Sequence, residues 1–199
     1  MRIAMLGGSF NPPHAGHLFL ADEVRCRLGY DKILLIPACT PPHKALAPGA
    51  SAAQRLEMLV RCTQDVPYFA VDSCEIDRRG VSYTYDTVRY LNERYASVLD
   101  GKIGLIMGDD LAADFNTWAG CDMLPVLTDI ILARRMIAEP EAARQEFSVR
   151  HIELGNSILP ISSSDIRSRI KNGAAWRYLV PDAVYRYIVN GKLYGFTDS

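Results

Sequence analysis

Short apolar runs alternate along the chain with stretches of helical periodicity. Arg2 to Leu6 is an apolar run ending at Gly7-Gly8 and predicts a buried strand. Leu18, Ala21, Val24 and Leu28 recur three and four apart, which predicts a helix stopped at Gly29. Lys32 to Ile36 is a second apolar run, ended by Pro37, and Cys39 to Gly49 is a loop rich in Pro and small residues. Gln54 to Cys62 has helical spacing through Leu56, Leu59 and Val60. Tyr68 to Val71 is short and strand-like, and Thr84 to Tyr95 sets Val88, Leu91 and Tyr95 on one helical face. Ile103 to Met107, ending in Gly108, and Leu127 to Ala133 are further buried runs.

Continuous apolar strands separated by helices imply parallel pairing with both faces covered. The expected class is therefore α/β, a doubly wound parallel sheet of about five or six strands with helices on both faces. No internal repeat or linker divides it. Residues 1–199 are expected to form a single domain with a small helical C-terminal part from about residue 162. In open sheets of this type ligands bind outside the carboxyl ends of the strands. The glycines and polar residues after Leu6, Ile36 and Met107 fall there.

Composition narrows the function class. Lys plus Arg is 22 against Asp plus Glu 23, a formal net charge of −1. That balance argues against coating nucleic acid. It leaves room for a local anion site, which needs only a helix N-terminus and a few cations. The balance is uneven: Asp100 to Ala133 holds six Asp and one Lys, whereas Arg134 to Lys192 holds ten Lys or Arg and six Asp or Glu. Five scattered cysteines without a C-x-x-C pair resemble neither a disulfide framework nor a zinc knuckle. With no signal-like or membrane-length apolar run, the expected setting is cytoplasmic, with no membrane or nucleic-acid partner.

Five clusters could carry chemistry. In Gly7-Gly8-Ser9-Phe10-Asn11-Pro12-Pro13-His14-Ala15-Gly16-His17, glycines allow close backbone approach, and two imidazoles three apart join a helix start. Capping and packing, or metal ligation with Cys39 or His43, are the alternatives, although the Glu of H-E-x-x-H is absent. His43 and Lys44, after Pro41-Pro42, could meet phosphate or form a solvated basic turn. In Ser82-Tyr83-Thr84-Tyr85-Asp86-Thr87, Thr84 or Asp86 is expected as a helix N-cap, yet such a start also receives carboxylates. Asp109, just past a strand end, could take ribose hydroxyls and Trp118 could stack on a flat ring; capping by Asp109 or Asp110 and core packing compete. Ile161-Ser162-Ser163-Ser164-Asp165-Ile166-Arg167 opens a helix with hydroxyls and an Arg, suiting a cap, a polyphosphate or both.

Taken together, the first cluster resembles the H-x-G-H signature of the nucleotidylyltransferase superfamily, and the fifth its I-S-S-T-x-I-R signature. Pro41-Pro42-His43-Lys44, Ser82 to Thr87 and the tail Tyr178-Leu179-Val180-Pro181…Tyr187-Ile188…Leu193-Tyr194 narrow the likeness to the bacterial nicotinate-nucleotide adenylyltransferases. The resemblance runs from residue 2 to about residue 194. It implies a Rossmann-like sheet, ATP and nicotinate mononucleotide as substrates, deamido-NAD and pyrophosphate as products, and Mg²⁺ carried by the ATP phosphates. His14, His17, Lys44 and Arg167 would be the catalytic set. Gly8, Ser9, Phe10, His14, His17, Asp109, Ser163 and Arg167 would bind ATP. Asn11, His43, Lys44, Thr84, Tyr85 and Trp118 would bind the mononucleotide. A homo-oligomer is compatible with this reading.

The chain departs from that pattern in places. Asn11 stands where many relatives have Asp, Ser164 where Thr is usual, and Ala133-Arg134-Arg135 lacks a Pro-Gly, which bears on adenine contacts. Trp118 is followed by Ala119-Gly120, not an aromatic. Competing readings are a sister adenylyltransferase for the amide mononucleotide or phosphopantetheine, a nucleotide-binding regulatory module, and a metal-dependent hydrolase.

Overall fold

A computed structural model describes residues 1–42, 47–134 and 147–197. Its six-stranded sheet comprises β1 (Ile3–Gly8), β2 (Lys32–Pro37), β3 (Phe69–Val71), β4 (Ile103–Gly108), β5 (Thr128–Ala133) and β6 (Ile152–Glu153), in the order β3-β2-β1-β4-β5-β6. The β1–β4, β4–β5 and β5–β6 pairs are parallel. Every residue of β4 is buried, as expected of a strand covered on both faces. The helices are α1 (Ala15–Leu28), α2 (Ala52–Thr63), α3 (Cys74–Arg78), α4 (Thr84–Tyr95), α5 (Leu124–Leu127), α6 (Ser163–Lys171) and α7 (Asp182–Gly191). No described helix is long and apolar enough to cross a membrane.

Element ends depart from the periodicity for local reasons. Helix α1 begins at Ala15, three residues before its first apolar position, because the His14 carbonyl already accepts the His17 N–H at 3.0 Å. The strand expected from Leu127 begins one residue later, at Thr128. Leu124–Leu127 turns as α5 with Pro125 in its first turn, and the Thr128 hydroxyl donates back to the Leu124 carbonyl at 2.7 Å. The two-residue β6 and five-residue α3 are too short for a period to announce them.

The chain packs as two compact units. One comprises Met1–Gly7, Leu20–Leu34 and Tyr83–Pro160; the other comprises Gly8–Phe19, Leu35–Ser82 and Ile161–Ser199. Each interleaves three stretches, so no linker marks a division in the sequence. In the first, β4 and β5 run side by side over six residue pairs, and Ile103, Leu105, Ile106, Ile130, Ile131, Val88 and Leu91 are buried. In the second, Met58 of α2 packs with Ile166 and Ile170 of α6, Val184 and Ile188 of α7, and the tail residues Leu193 and Tyr194. That cluster seats the start of α6.

Candidate functional site

In the second unit, the loop after β1 carries the first motif. Phe10 has φ +46 and is fully buried. Its ring meets His17 edge-on at 4.8 Å, and a Cβ at Gly8 would stand 3.3 Å from it. Asn11 is 2% exposed and uses both ends of its amide. Nδ2 donates to the Ala47 carbonyl at 2.8 Å, and Oδ1 accepts from the Tyr194 hydroxyl at 2.8 Å. Its side chain therefore organises the loop.

The same loop is fastened to α6. Ser163 Oγ donates to the Pro12 carbonyl at 2.9 Å, and Arg167 Nη1 donates to the Asn11 carbonyl at 2.7 Å. Arg167 Nη2 also donates to Ser164 Oγ at 3.1 Å. Ser162 is the cap, its Oγ accepting the Asp165 N–H at 3.1 Å. The three serines thus divide the work that their sequence left open: one caps, one tethers and one steadies the arginine. Arg167 has five N–H donors, so donors remain for an anion.

His14 stands just before α1 and His17 in its first turn. Their rings stack at 3.6 Å with 25° between planes. His17 Nδ1 accepts the His14 backbone N–H at 3.2 Å, so in the neutral ring the proton sits on Nε2, which is the donor. Gly16 explains the motif's glycine: a Cβ there would lie 3.1 Å from His14 Nδ1.

One residue of this unit escaped the sequence reading. Arg55 of α2 is 0% exposed. Nη1 donates to the Ser9 carbonyl at 2.6 Å, and Nη2 to those of Ala38 at 2.7 Å and Cys39 at 3.5 Å. Burial pushes its pKa below the usual arginine range. A signal existed, since Arg55 continues the apolar stripe of Met58 and Leu59, where a charge needs explaining.

In the first unit, α4 begins at Thr84 with Tyr83 at the N-cap position and no side-chain cap, so neither Thr84 nor Asp86 plays the expected capping part. Tyr85 packs against the turn after Trp118: a Cβ at Gly120, which has φ +68, would stand 2.6 Å from Tyr85 Cγ. Buried Phe115 backs the half-buried Trp118 ring at 5.5 Å. Asp109 opens a 3-10 turn directly after β4, with Gly108 as its N-cap and no side-chain cap. At the end of β5, Arg134 exchanges backbone bonds with the Asn156 side chain: Arg134 N–H to Oδ1 and Nδ2 to the Arg134 carbonyl, both 2.8 Å. His43, Lys44 and Arg135 lie outside the described residues.

Serine hydroxyls, imidazole N–H, guanidinium and helix-start N–H groups are anion donors. Among the described residues no three His, Cys, Asp or Glu side chains gather as a metal cage. Such a donor set fits a divalent cation that arrives on the oxygens of a polyphosphate.

Residues 5–169 match the family described as cytidylyltransferase-like. A protein of Borreliella afzelii named a probable nicotinate-nucleotide adenylyltransferase is 40% identical over 194 residues, covering 98% of this chain and 97% of its own. A Treponema pallidum protein of the same name is 38% identical over 202 residues, covering 98% of this chain and 99% of its own. The solved structure of Plasmodium falciparum nicotinic acid mononucleotide adenylyltransferase complexed with NaAD superposes with a TM-score of 0.77 over 98% of both chains at 18% identity, a likeness of fold.

Proposed function

The chain belongs to the cytidylyltransferase-like family, and from that premise we propose that it transfers the adenylyl group of ATP to nicotinate mononucleotide, releasing pyrophosphate and forming deamido-NAD. One observation carries the reading. Ser163 and Arg167 hydrogen-bond the Pro12 and Asn11 carbonyls, so the first turn of α6 is fastened to the loop that leads into His14 and His17. Residues far apart in the sequence thereby form one anion-binding group. The 40% identity with a full-length relative named for this activity supports the same reaction.

In this reaction a phosphate oxygen of the mononucleotide attacks the α-phosphorus of ATP, and the bond to the β-phosphate oxygen breaks. No enzyme nucleophile is required, so catalysis consists of positioning and charge stabilisation. His17 Nε2–H would donate to the α-phosphate as charge develops, with His14 stacked beside it. Ser163 and Arg167 would hold the departing pyrophosphate, and Gly8, Ser9 and Phe10 would lie along the nucleotide. Mg²⁺, held by the ATP phosphates, would neutralise part of their charge. Asp109 would bind ribose. The uncapped start of α4 at Thr84 and Tyr85 suits the nicotinate carboxylate, and Trp118 would stack on the pyridine. His43 and Lys44 would meet the mononucleotide. Asn11, with both ends of its amide engaged, would serve that substrate by shaping the loop.

A pyrophosphate-release assay with nicotinate mononucleotide, its amide form and phosphopantetheine side by side tests the proposal. The acid form should have the highest kcat/KM. Equal rates for the amide, or preference for another acceptor, would overturn the substrate assignment.

A further inference from the structure

We propose that Arg55 is a positioning residue that clamps the carboxyl ends of β1 and β2 and leaves its charge for a bound polyphosphate to balance. The guanidinium is fully buried, yet no carboxylate pairs with it among the described residues. Among the described residues its partners are three carbonyl oxygens, Ser9 from the loop after β1 and Ala38 and Cys39 from the loop after β2, and its Nε has none. An unneutralised buried cation is costly, and apolar packing would stabilise α2 better at that position. The carbonyls bring partial negative charge without cancelling a full positive one. The planar fork reaches the two loops with separate, rigidly spaced nitrogens, whereas a lysine offers one compact ammonium.

The geometry constrains neighbouring groups as well. The Ala38 N–H donates to the Gly8 carbonyl at 2.9 Å, and the Cys39 N–H to which Ser82 Oγ is bonded at 2.9 Å lies beside the Arg55 acceptors. Arg55 therefore ties the Ser9 carbonyl to those of Ala38 and Cys39, while the Asn11 and Pro12 carbonyls are held by α6. An anion seated on this loop meets a backbone already in place and a positive charge bonded to that backbone at Ser9.

The proposal rests on anion binding by this loop, so inorganic pyrophosphate is the probe. Titration calorimetry at low and high salt compares the full chain with Arg55→Gln and Arg55→Lys. Arg55→Gln should weaken pyrophosphate binding about tenfold at low salt, the size expected of one partly screened charge several ångströms away. Arg55→Lys should bind within about threefold of wild type but lose about tenfold or more in kcat with little change in the KM for ATP, because the charge remains and the spacing does not. Folded variants with wild-type affinity, KM and kcat would reduce Arg55 to scaffold and overturn the proposal. Should both variants fail to fold, isotope-labelled arginine in the wild-type chain decides. The Arg55 Nη–H resonances should be slowed by hydrogen bonding and shift on adding pyrophosphate, and unmoved resonances would refute the idea. A wild type that binds pyrophosphate yet adenylylates no mononucleotide would refute the substrate assignment and leave this proposal standing.

Discussion

Tyr194→Phe removes one hydroxyl and leaves the ring. That hydroxyl donates to Asn11 Oδ1 at 2.8 Å, and Tyr194 and Asn11 are 8% and 2% exposed. Without it, Asn11 keeps a buried acceptor with its tyrosine partner gone, at a cost of roughly 1–3 kcal/mol. No cavity opens, because the ring still packs beside Gly49 and among Met58, Ile166 and Ile188. Tyr194→Ala also removes the ring and should cost about 3–5 kcal/mol, as large-to-small core changes do. Urea unfolding at pH 7, followed through the buried Trp176, should show a lower midpoint and an unchanged slope for the Phe variant.

The pH dependence supplies a second readout. Burial raises the Tyr194 phenol above the ordinary tyrosine range. A folded-state pKa above the unfolded one makes a contribution that is full below about pH 10 and is lost as pH rises beyond it. The wild type should therefore lose stability more steeply above pH 10 than the Phe variant does. A Phe variant within about 0.5 kcal/mol of wild type at pH 7, or one with the same alkaline decline, would refute this account of the Asn11 loop.

His17→Ala should stay folded by circular dichroism while kcat falls roughly 10²–10³-fold, the usual loss for one donor to a developing negative charge; full turnover would remove His17 from the mechanism. Gly120→Ala places a Cβ 2.6 Å from Tyr85 Cγ at a φ of +68, so the KM for the mononucleotide should rise with little change in that for ATP. Burial pushes the Cys62 and Cys74 thiols up to about 12 from 9.0, whereas Cys26 is exposed. A disulfide reagent at pH 8 should label Cys26 in the native protein and those two only on unfolding. Because both folded pKa values are raised, their stabilisation is present below about pH 9 and is lost as pH rises toward 12.

The clusters visible in the sequence hold together because their signal is local. A tight turn, a helix start or a pair of histidines three apart is written in neighbouring residues, and so the Gly8 to His17 and Ile161 to Arg167 segments could be singled out. The serines were visible as a group, but their separate duties were not. Which one reaches the Pro12 carbonyl depends on where α6 lands, and α2, α7 and the tail set that through Met58, Val184, Ile188 and Leu193. The capping expected of Thr84 or Asp86 failed for a related reason: residue preference does not say which residue will occupy the cap position, and here it is Tyr83.

What the sequence determined by itself is the alternation of the longer strands and helices, their parallel class and the residue types available to bind anions, because periodicity and turn chemistry act over a few residues; the short α3, α5 and β6 carried no such signal. Only the tertiary structure decided which distant groups act together. Arg55 lies on an apolar stripe and looks misplaced until Ser9, Ala38 and Cys39 are seen to present three carbonyls to it. Asn11, expected by resemblance to contact the mononucleotide, also ties its own loop together, because Ala47 and Tyr194 meet the two ends of its amide. A buried polar group must find partners wherever the fold supplies them, and those partners are set by packing across the chain.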